Sequence, residues 1–120
     1  MKKIILMILI SSALISGCAT QKPMYEYSNY SESFYGMKKE GGAETSDEWK
    51  TTLEDIISKS NASITRVPPG VYANLGYLYL KMNNNEQAIF YFEEEKKIYP
   101  ESIKFMDNLI SKAKAEENPS

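Results

Sequence analysis

The chain has 120 residues, a length that allows one small domain. It has a formal net charge of −2, a single cysteine and no histidine. Without histidine it can hold neither a Ser-His-Asp or Cys-His catalytic group nor a histidine-based metal site, and one cysteine cannot form an internal disulfide. Its basic residues form no continuous block, so we predict no nucleic-acid partner. We also predict no metal and no cofactor.

The first segment is typical of a bacterial signal peptide. Lys2 and Lys3 give it a positively charged start, and the uncharged stretch from Ile4 to Gly17 follows. That stretch is shorter than the roughly 20 apolar residues that a helix needs to span a bilayer. We therefore predict that residues 1–17 are removed, with cleavage between Gly17 and Cys18.

The residues Leu14-Ile15-Ser16-Gly17 before Cys18 resemble the lipobox of bacterial lipoproteins. The resemblance implies that Cys18 carries diacylglycerol and a further acyl chain such as palmitate, each buried CH₂ contributing about 0.8 kcal/mol to membrane binding. Ala19 stands where Gram-negative lipoproteins retained in the inner membrane have aspartate. The expected location is thus the outer membrane, with the periplasmic face favoured over the cell surface. The alternative is an ordinary secretory signal followed by a free thiol.

Residues 18–24 are predicted to be a tether, and residues 25–44 a tyrosine-rich segment with a loop. Tyr30, Phe34 and Met37 lie at i, i+4 and i+7, the spacing of a short amphipathic helix, with Ser28 or Asn29 as its N-cap. Two interpretations stay open. Either these aromatic residues cover the edge of the domain, or some of them form an exposed patch for a partner, which would include Tyr30 and Tyr35. Lys39–Ser46, with its two adjacent glycines, is predicted to be a loop.

Residues 45–115 are predicted to form a helical domain. Thr45 and Glu48 have the spacing of a capping box, and a helix is expected over about Asp47–Ser60. Its apolar residues recur at helical spacing, as expected for one buried face: they are Trp49, Leu53, Ile56 and Ile57.

The stretch 69–102 resembles the tetratricopeptide repeat, a helical hairpin of 34 residues with large and small residues at fixed positions. With Pro69 as the first position, seven residues match the repeat: Tyr72, Leu75, Gly76, Tyr79, Ala88, Phe92 and Pro100. Gly76 is expected to let the second helix approach closely through Ala88. Asn83-Asn84-Asn85 are expected to form the turn, and Pro100 to end the second helix.

Glu95 departs from the repeat, which has a small residue at this place. Either its side chain points to solvent, or it enters the contact between the two helices and pairs with Lys96 or a tyrosine hydroxyl, because a buried unpaired carboxylate is costly. Ser102–Lys114 is predicted to be a closing helix, and residues 116–120 a flexible tail. The predicted fold is therefore all-α, a short tetratricopeptide-like solenoid of helical hairpins with four to five helices.

Most of the mature chain resembles an uncharacterised family of small Gram-negative lipoproteins. The resemblance is carried by the tyrosine-rich start and by Pro68-Pro69-Gly70, Leu75-Gly76, Glu95-Lys96, Tyr99-Pro100-Glu101-Ser102 and Phe105-Met106. It implies genes that lie beside those of a curli-secretion-channel-like lipoprotein and of another small lipoprotein. The implied partner is a neighbouring envelope lipoprotein.

The groove-facing positions of the repeat include Asn74, Tyr77 and Lys81, which could bind a peptide or a neighbouring helix. The alternative, equally weighted, is that the tyrosine-rich segment or the preceding helix already fills the groove. One good repeat is fewer than such arrays usually need, so we expect stabilisation by that segment, by a partner or by self-association into a homo-oligomer.

The predicted function is that of a lipid-anchored, non-enzymatic interaction module, an accessory subunit of an outer-membrane lipoprotein complex. An enzyme would have to rely on carboxylates such as Glu93, Glu94 and Glu95, which diverge on a helix instead of converging on one bond. A regulator of a periplasmic peptidoglycan synthase is the other alternative. The tether of about six residues extends only about 20 Å, which limits how far such a regulator could reach from its membrane.

Overall fold

The structure, a computed structural model, describes residues 1–3 and 23–117. The predicted cleavage site at Gly17 and the lipidation site Cys18 lie outside the described residues. So does the predicted signal peptide, except for its first three residues. In the described part the all-α prediction is confirmed, since five helices and no strand are present. The helices are α1 (Tyr30–Glu40), α2 (Ala43–Ala62), α3 (Val71–Lys81), α4 (Asn85–Ile98) and α5 (Ile103–Glu117), with a single 3₁₀ turn at Pro100–Ser102.

Consecutive helices pack against each other, so the chain forms two helical hairpins, α1–α2 and α3–α4, followed by α5. Two clusters of buried side chains hold them together. The first joins α2 to α3 and to the loop between them, and consists of Trp49, Leu53, Ile56, Val67, Val71, Tyr72 and Leu75. The second joins α3, α4 and α5, and consists of Leu80, Ala88, Phe92, Met106, Ile110 and Ala113.

The first hairpin is tighter than the sequence predicts. The predicted loop Lys39–Ser46 is reduced to Gly41 and Gly42, because α1 ends at a left-handed Gly41 and α2 begins at Ala43. The capping box of Thr45 with Glu48 was wrong. Thr45 instead lies one turn inside the helix, where its Oγ1 accepts a hydrogen bond from the N–H of Gly42 at 3.1 Å and donates to the Gly42 carbonyl.

The N-cap prediction for α1 is correct in position but not in bonding. Asn29 occupies the N-cap position but its side chain makes no capping hydrogen bond. Ser28 has a left-handed backbone, and its Oγ donates to Asp55 of α2 at 3.1 Å and accepts from Lys59 at 3.0 Å. These side-chain bonds fix the start of the tyrosine-rich segment to the outside of α2.

The close approach of α3 and α4 depends on Gly76. A Cβ atom built on this residue would lie 2.7 Å from the ring of Phe92 and 3.0 Å from the backbone oxygen of Ala88. Ala88 and Phe92 are themselves fully buried, and Tyr72 and Leu75 are buried on the same side of α3. Tyr79 is only half-buried, and its ring stacks on that of Tyr91 at 5.5 Å.

The ends of the second hairpin follow the sequence prediction closely. Asn83 adopts a left-handed backbone with φ +58°, and the side chain of Asn84 accepts a hydrogen bond from the N–H of Gln87, which caps α4. α4 ends at Ile98, and Pro100 begins the 3₁₀ turn. α5 then lies against α4 and buries Met106 as a closing helix does.

Glu95 is buried, and neither of its predicted partners is correct. Its two carboxylate oxygens accept hydrogen bonds from the N–H groups of Gly70 at 2.7 Å and Ala73 at 3.3 Å, at the N-terminus of α3. Lys96 pairs instead with Glu93 and Asp107. Gly70 has no side chain with which to cap α3, so a carboxylate from α4 does this across the hairpin.

Candidate functional site

A cleft of about 810 Å³ opens between α1, the first half of α2 and α3. Its size lies within the range of clefts that hold ligands or short peptide segments in proteins, about 300–1,000 Å³. Most of its lining is apolar, and comprises Phe34, Met37, Trp49, Tyr77, Leu78 and Met82. Its charged lining residues are Lys38, Asp47, Lys50 and Lys81.

One wall of the cleft is α1, which packs on α2 through aromatic rings. The ring of Tyr30 meets Trp49 edge-on at 4.7 Å, and Phe34 lies 5.5 Å from the same indole. Behind them the hydroxyls of Ser33 and Thr52 are hydrogen-bonded at 2.8 Å. The i, i+4 spacing of the sequence thus becomes a contact that holds α1 in place.

The opposite wall is the outward face of α3. Asn74 lies at the end where α1 crosses, and its side-chain amide donates to the hydroxyl of Tyr30 at 3.2 Å and to the carbonyl of Gly70 at 2.9 Å. Burial raises the pKa of Tyr30, which keeps this hydroxyl neutral. Tyr77 and Lys81, one and two turns further on, remain exposed. The tyrosine-rich segment therefore fills only one end of the groove.

The lysines of the cleft are held in different ways. Lys50 forms an ion pair with Glu54 at 3.3 Å and lies over the ring of Tyr79. Partial burial lowers the pKa of Lys50, but its bonds with Glu54 and Tyr79 outweigh this and the pKa is raised. Lys38 and Lys81 lie over aromatic rings of their own helices, 5.7 Å from the centre of Phe34 and 5.4 Å from the centre of Tyr77.

Of the residues predicted to bind a partner, the structure places Asn74, Tyr77 and Lys81 in the cleft. Tyr30 reaches it only through its bond to Asn74. Tyr35 does not line it, and stands 70% exposed on α1. Tyr30 and Phe34 cover the edge of the domain, as the first interpretation expects, whereas an exposed aromatic patch for a partner stays a prediction.

The sequence reasoning missed the wall made by α1 and the floor made by α2. Met37 and Lys38 follow Phe34 at i+3 and i+4, so one helical turn carries all three to the same side. Leu78 and Met82 are four residues apart and likewise lie on one side of α3. The spacing within each helix was readable, but which two faces meet depends on how α1 packs on α2.

The acidic run on α4 does not form a joint site. Glu95 caps α3, while Glu93 pairs with Lys96 at 3.1 Å and Glu94 pairs with Lys97. Burial raises the pKa of Glu95, although the backbone N–H groups of Gly70, Ala73 and Tyr72 act in the opposite direction. Among residues whose side chains are described, no group of three acidic or sulfur ligands is placed to hold a metal ion.

No helix in the described part of the chain has both the length and the apolar character needed to cross a membrane. A family profile whose description is "Domain of unknown function (DUF4810)" matches residues 24–109. The match begins before α1 and ends within α5, so it includes every residue that lines the cleft. No curated protein and no solved structure matches the chain.

Proposed function

The chain belongs to the DUF4810 family, whose function is unknown, and we propose that it is a lipid-anchored interaction module of the bacterial envelope. In this proposal it is an accessory subunit of an outer-membrane lipoprotein complex and has no enzymatic activity. Its protein partner binds in the cleft between α1, α2 and α3.

The observation that carries this proposal is the apolar cleft itself. Tyr77 is 45% and Met82 57% exposed along one wall, above the largely buried side chains of the floor. Contiguous apolar surface with a polar rim marks binding sites on soluble domains. Tyrosine also carries much of the binding energy at protein interfaces, and Tyr77 is the exposed tyrosine of this wall.

The repeat-like packing of the second hairpin supports the same function. Gly76 against Ala88 and Phe92 has the small-to-large contact expected between the helices of a tetratricopeptide repeat. Proteins built from such hairpins bind partners on the faces that their helices leave open. In this chain the open face is the part of α3 that carries Tyr77 and Lys81.

The membrane anchor is proposed from the sequence order of basic start, short apolar stretch, small residues and Cys18. With acyl chains on Cys18, the helical domain would begin only a few residues from the bilayer. The test is a Cys18→Ser variant of the full chain, with fractionation of the envelope. We expect the wild-type chain in the outer-membrane fraction and the variant outside it. Equal retention of both would contradict the anchor.

The partner is tested by site-specific crosslinking in cells. A photoreactive amino acid replaces Tyr77 in the cleft, and in a matched variant it replaces Phe105, which is 62% exposed on α5. We expect a crosslinked protein with the probe at position 77 and much less at position 105. A neighbouring lipoprotein as the product supports a complex subunit, whereas a peptidoglycan synthase supports the regulatory alternative. Identical products from both positions, or none, would contradict binding in the cleft.

A further inference from the structure

The charge of the cleft is opposite in sign to that of the whole chain. The chain has 16 acidic and 14 basic residues, but the cleft is lined by three lysines and a single aspartate. A net positive recess on an acidic protein attracts and orients anionic groups, and electrostatic complementarity of this kind sets the specificity of a partner.

Two of these lysines are available to a ligand. Lys50 is already paired with Glu54, but Lys38 and Lys81 form no ion pair with any carboxylate whose position the structure describes. They stand on opposite walls, one on α1 and the other on α3, and each lies over an aromatic ring. The rings hold the ammonium groups beside the apolar floor without neutralising them.

The floor between the two lysines is apolar, so it favours an apolar group of the ligand. Met37 and Leu78 lie there half-buried, and neither offers a charge to a ligand, while Trp49 beneath them is 1% exposed. Covering this surface with a large apolar side chain removes it from water, which contributes about 25 cal/mol for each Å² buried. A ligand that satisfies both features has an apolar centre with an anionic group on each side.

We propose that the cleft binds an acidic segment of a partner protein, in which a large aliphatic or aromatic side chain lies between carboxylates. The apolar side chain covers Met37 and Leu78, and the flanking carboxylates pair with Lys38 and Lys81. This inference rests on the proposed function, because it names the chemistry of the segment that the interaction module recognises. Asp47 on the rim disfavours a uniformly anionic surface such as a phospholipid bilayer, since one negative charge would face others.

The probes are two fluorescein-labelled peptides of equal length with a Leu-Phe-Leu centre, one flanked by glutamates and the other by lysines. They are titrated with the full chain in neutral detergent, and binding is followed by fluorescence anisotropy. We expect the acidic peptide to bind at least 10-fold more tightly than the basic one, with an affinity that falls as salt is raised.

The variants Lys38→Glu and Lys81→Glu locate the binding. Each should weaken binding of the acidic peptide by about 5-fold or more, as expected for an ion pair of about 1 kcal/mol beside an apolar surface. Lys104→Glu is the matched control, because Lys104 is exposed on α5, changes the net charge equally and does not line the cleft. Equal weakening by all three variants would show a general charge effect and overturn the proposal.

Two further outcomes would also overturn it. One is equal affinity for both peptides, and the other is binding of phosphatidylglycerol vesicles by an acyl-free Cys18→Ser chain that competes with the acidic peptide. Failure of this inference can be distinguished from failure of the proposed function. If the crosslink from position 77 persists in the Lys38→Glu, Lys81→Glu double variant, the interaction module remains but its acidic specificity is wrong. If the wild-type chain gives no crosslink, the proposed function itself fails.

Discussion

At the scale of single residues, Glu95 shows how a departure from a repeat pattern acquires a structural role. Its burial alone would be unfavourable for a charged carboxylate. The N–H groups of Gly70 and Ala73 supply two hydrogen bonds at the positive end of α3, where a negative charge is stabilised. Burial nevertheless dominates, so the pKa of Glu95 is raised above its usual value.

The raised pKa of Glu95 predicts how stability depends on pH. A group whose pKa is higher in the folded state contributes stability that is fully present below its unfolded pKa and is lost as the pH rises through the folded value. We therefore expect the wild-type chain to gain stability relative to Glu95→Gln as the pH falls from 7 towards 4.5. The measurement is chemical denaturation of both chains across this range, followed by circular dichroism.

Glu101→Gln is the control, because Glu101 is an exposed acid whose negative charge acts on Glu95. The Glu101→Gln variant should keep most of the pH dependence of the free energy of unfolding. A wild-type advantage over Glu95→Gln that stays constant with pH, or grows as the pH rises, would contradict the assignment. Glu95→Ala removes the cap altogether and should lower the free energy of unfolding by about 1–2 kcal/mol at pH 7, and by more as the pH falls.

At the scale of the helices, the spacing of side chains along the sequence predicted the packing within each hairpin. Tyr72, Leu75 and Phe92 were assigned to the interior from their positions, and all three are buried. The beginning of α2 was not predictable in this way, because Gly42 and Thr45 form a cap that resembles a loop in sequence. The cleft was half predicted, since its α3 wall was named and its α1 wall depends on contacts between distant parts of the chain.

The contact between α3 and α4 gives a prediction with an internal control. Gly76→Ala places a methyl group against the Phe92 ring and the Ala88 backbone, and we expect a loss of about 1–3 kcal/mol from overpacking. Gly36→Ala on α1 adds the same methyl group where no atom lies within 4 Å. It should stabilise the chain by about 0.5–1 kcal/mol, because alanine favours the helix.

Thermal unfolding of the two single variants measures this difference directly. Replacing Phe92 by leucine in the Gly76→Ala background should recover part of the loss, because the smaller side chain can move away from the new methyl group. Destabilisation of equal size in both glycine variants would show that the effect is not the contact between the helices.

At the scale of the whole molecule, α3 contributes buried side chains to both hydrophobic clusters. Leu75 belongs to the cluster that contains Trp49, and Leu80 to the one that contains Met106. Tyr79 packs against both clusters. The two clusters therefore share one helix, and disruption of either cluster should be transmitted to the other.

Met106→Ala tests this coupling. Met106 is 1% exposed on α5, and its truncation should cost about 2–5 kcal/mol through the cavity that it leaves. If α3 couples the clusters, unfolding followed by Trp49 fluorescence should shift to lower denaturant by the same amount as unfolding followed by circular dichroism. A Trp49 transition that stays at its wild-type midpoint would show that the two hairpins unfold independently.

The cap from Glu95 has a consequence for the order in which the helices fold. α3 receives its capping carboxylate from a residue that follows Gly70 by 25 positions in the chain. A fragment that ends before α4 therefore contains α3 without the group that satisfies its first turn, and an isolated helix of 11 residues is marginal in water. We therefore expect α3 and α4 to acquire their structure together, as one hairpin.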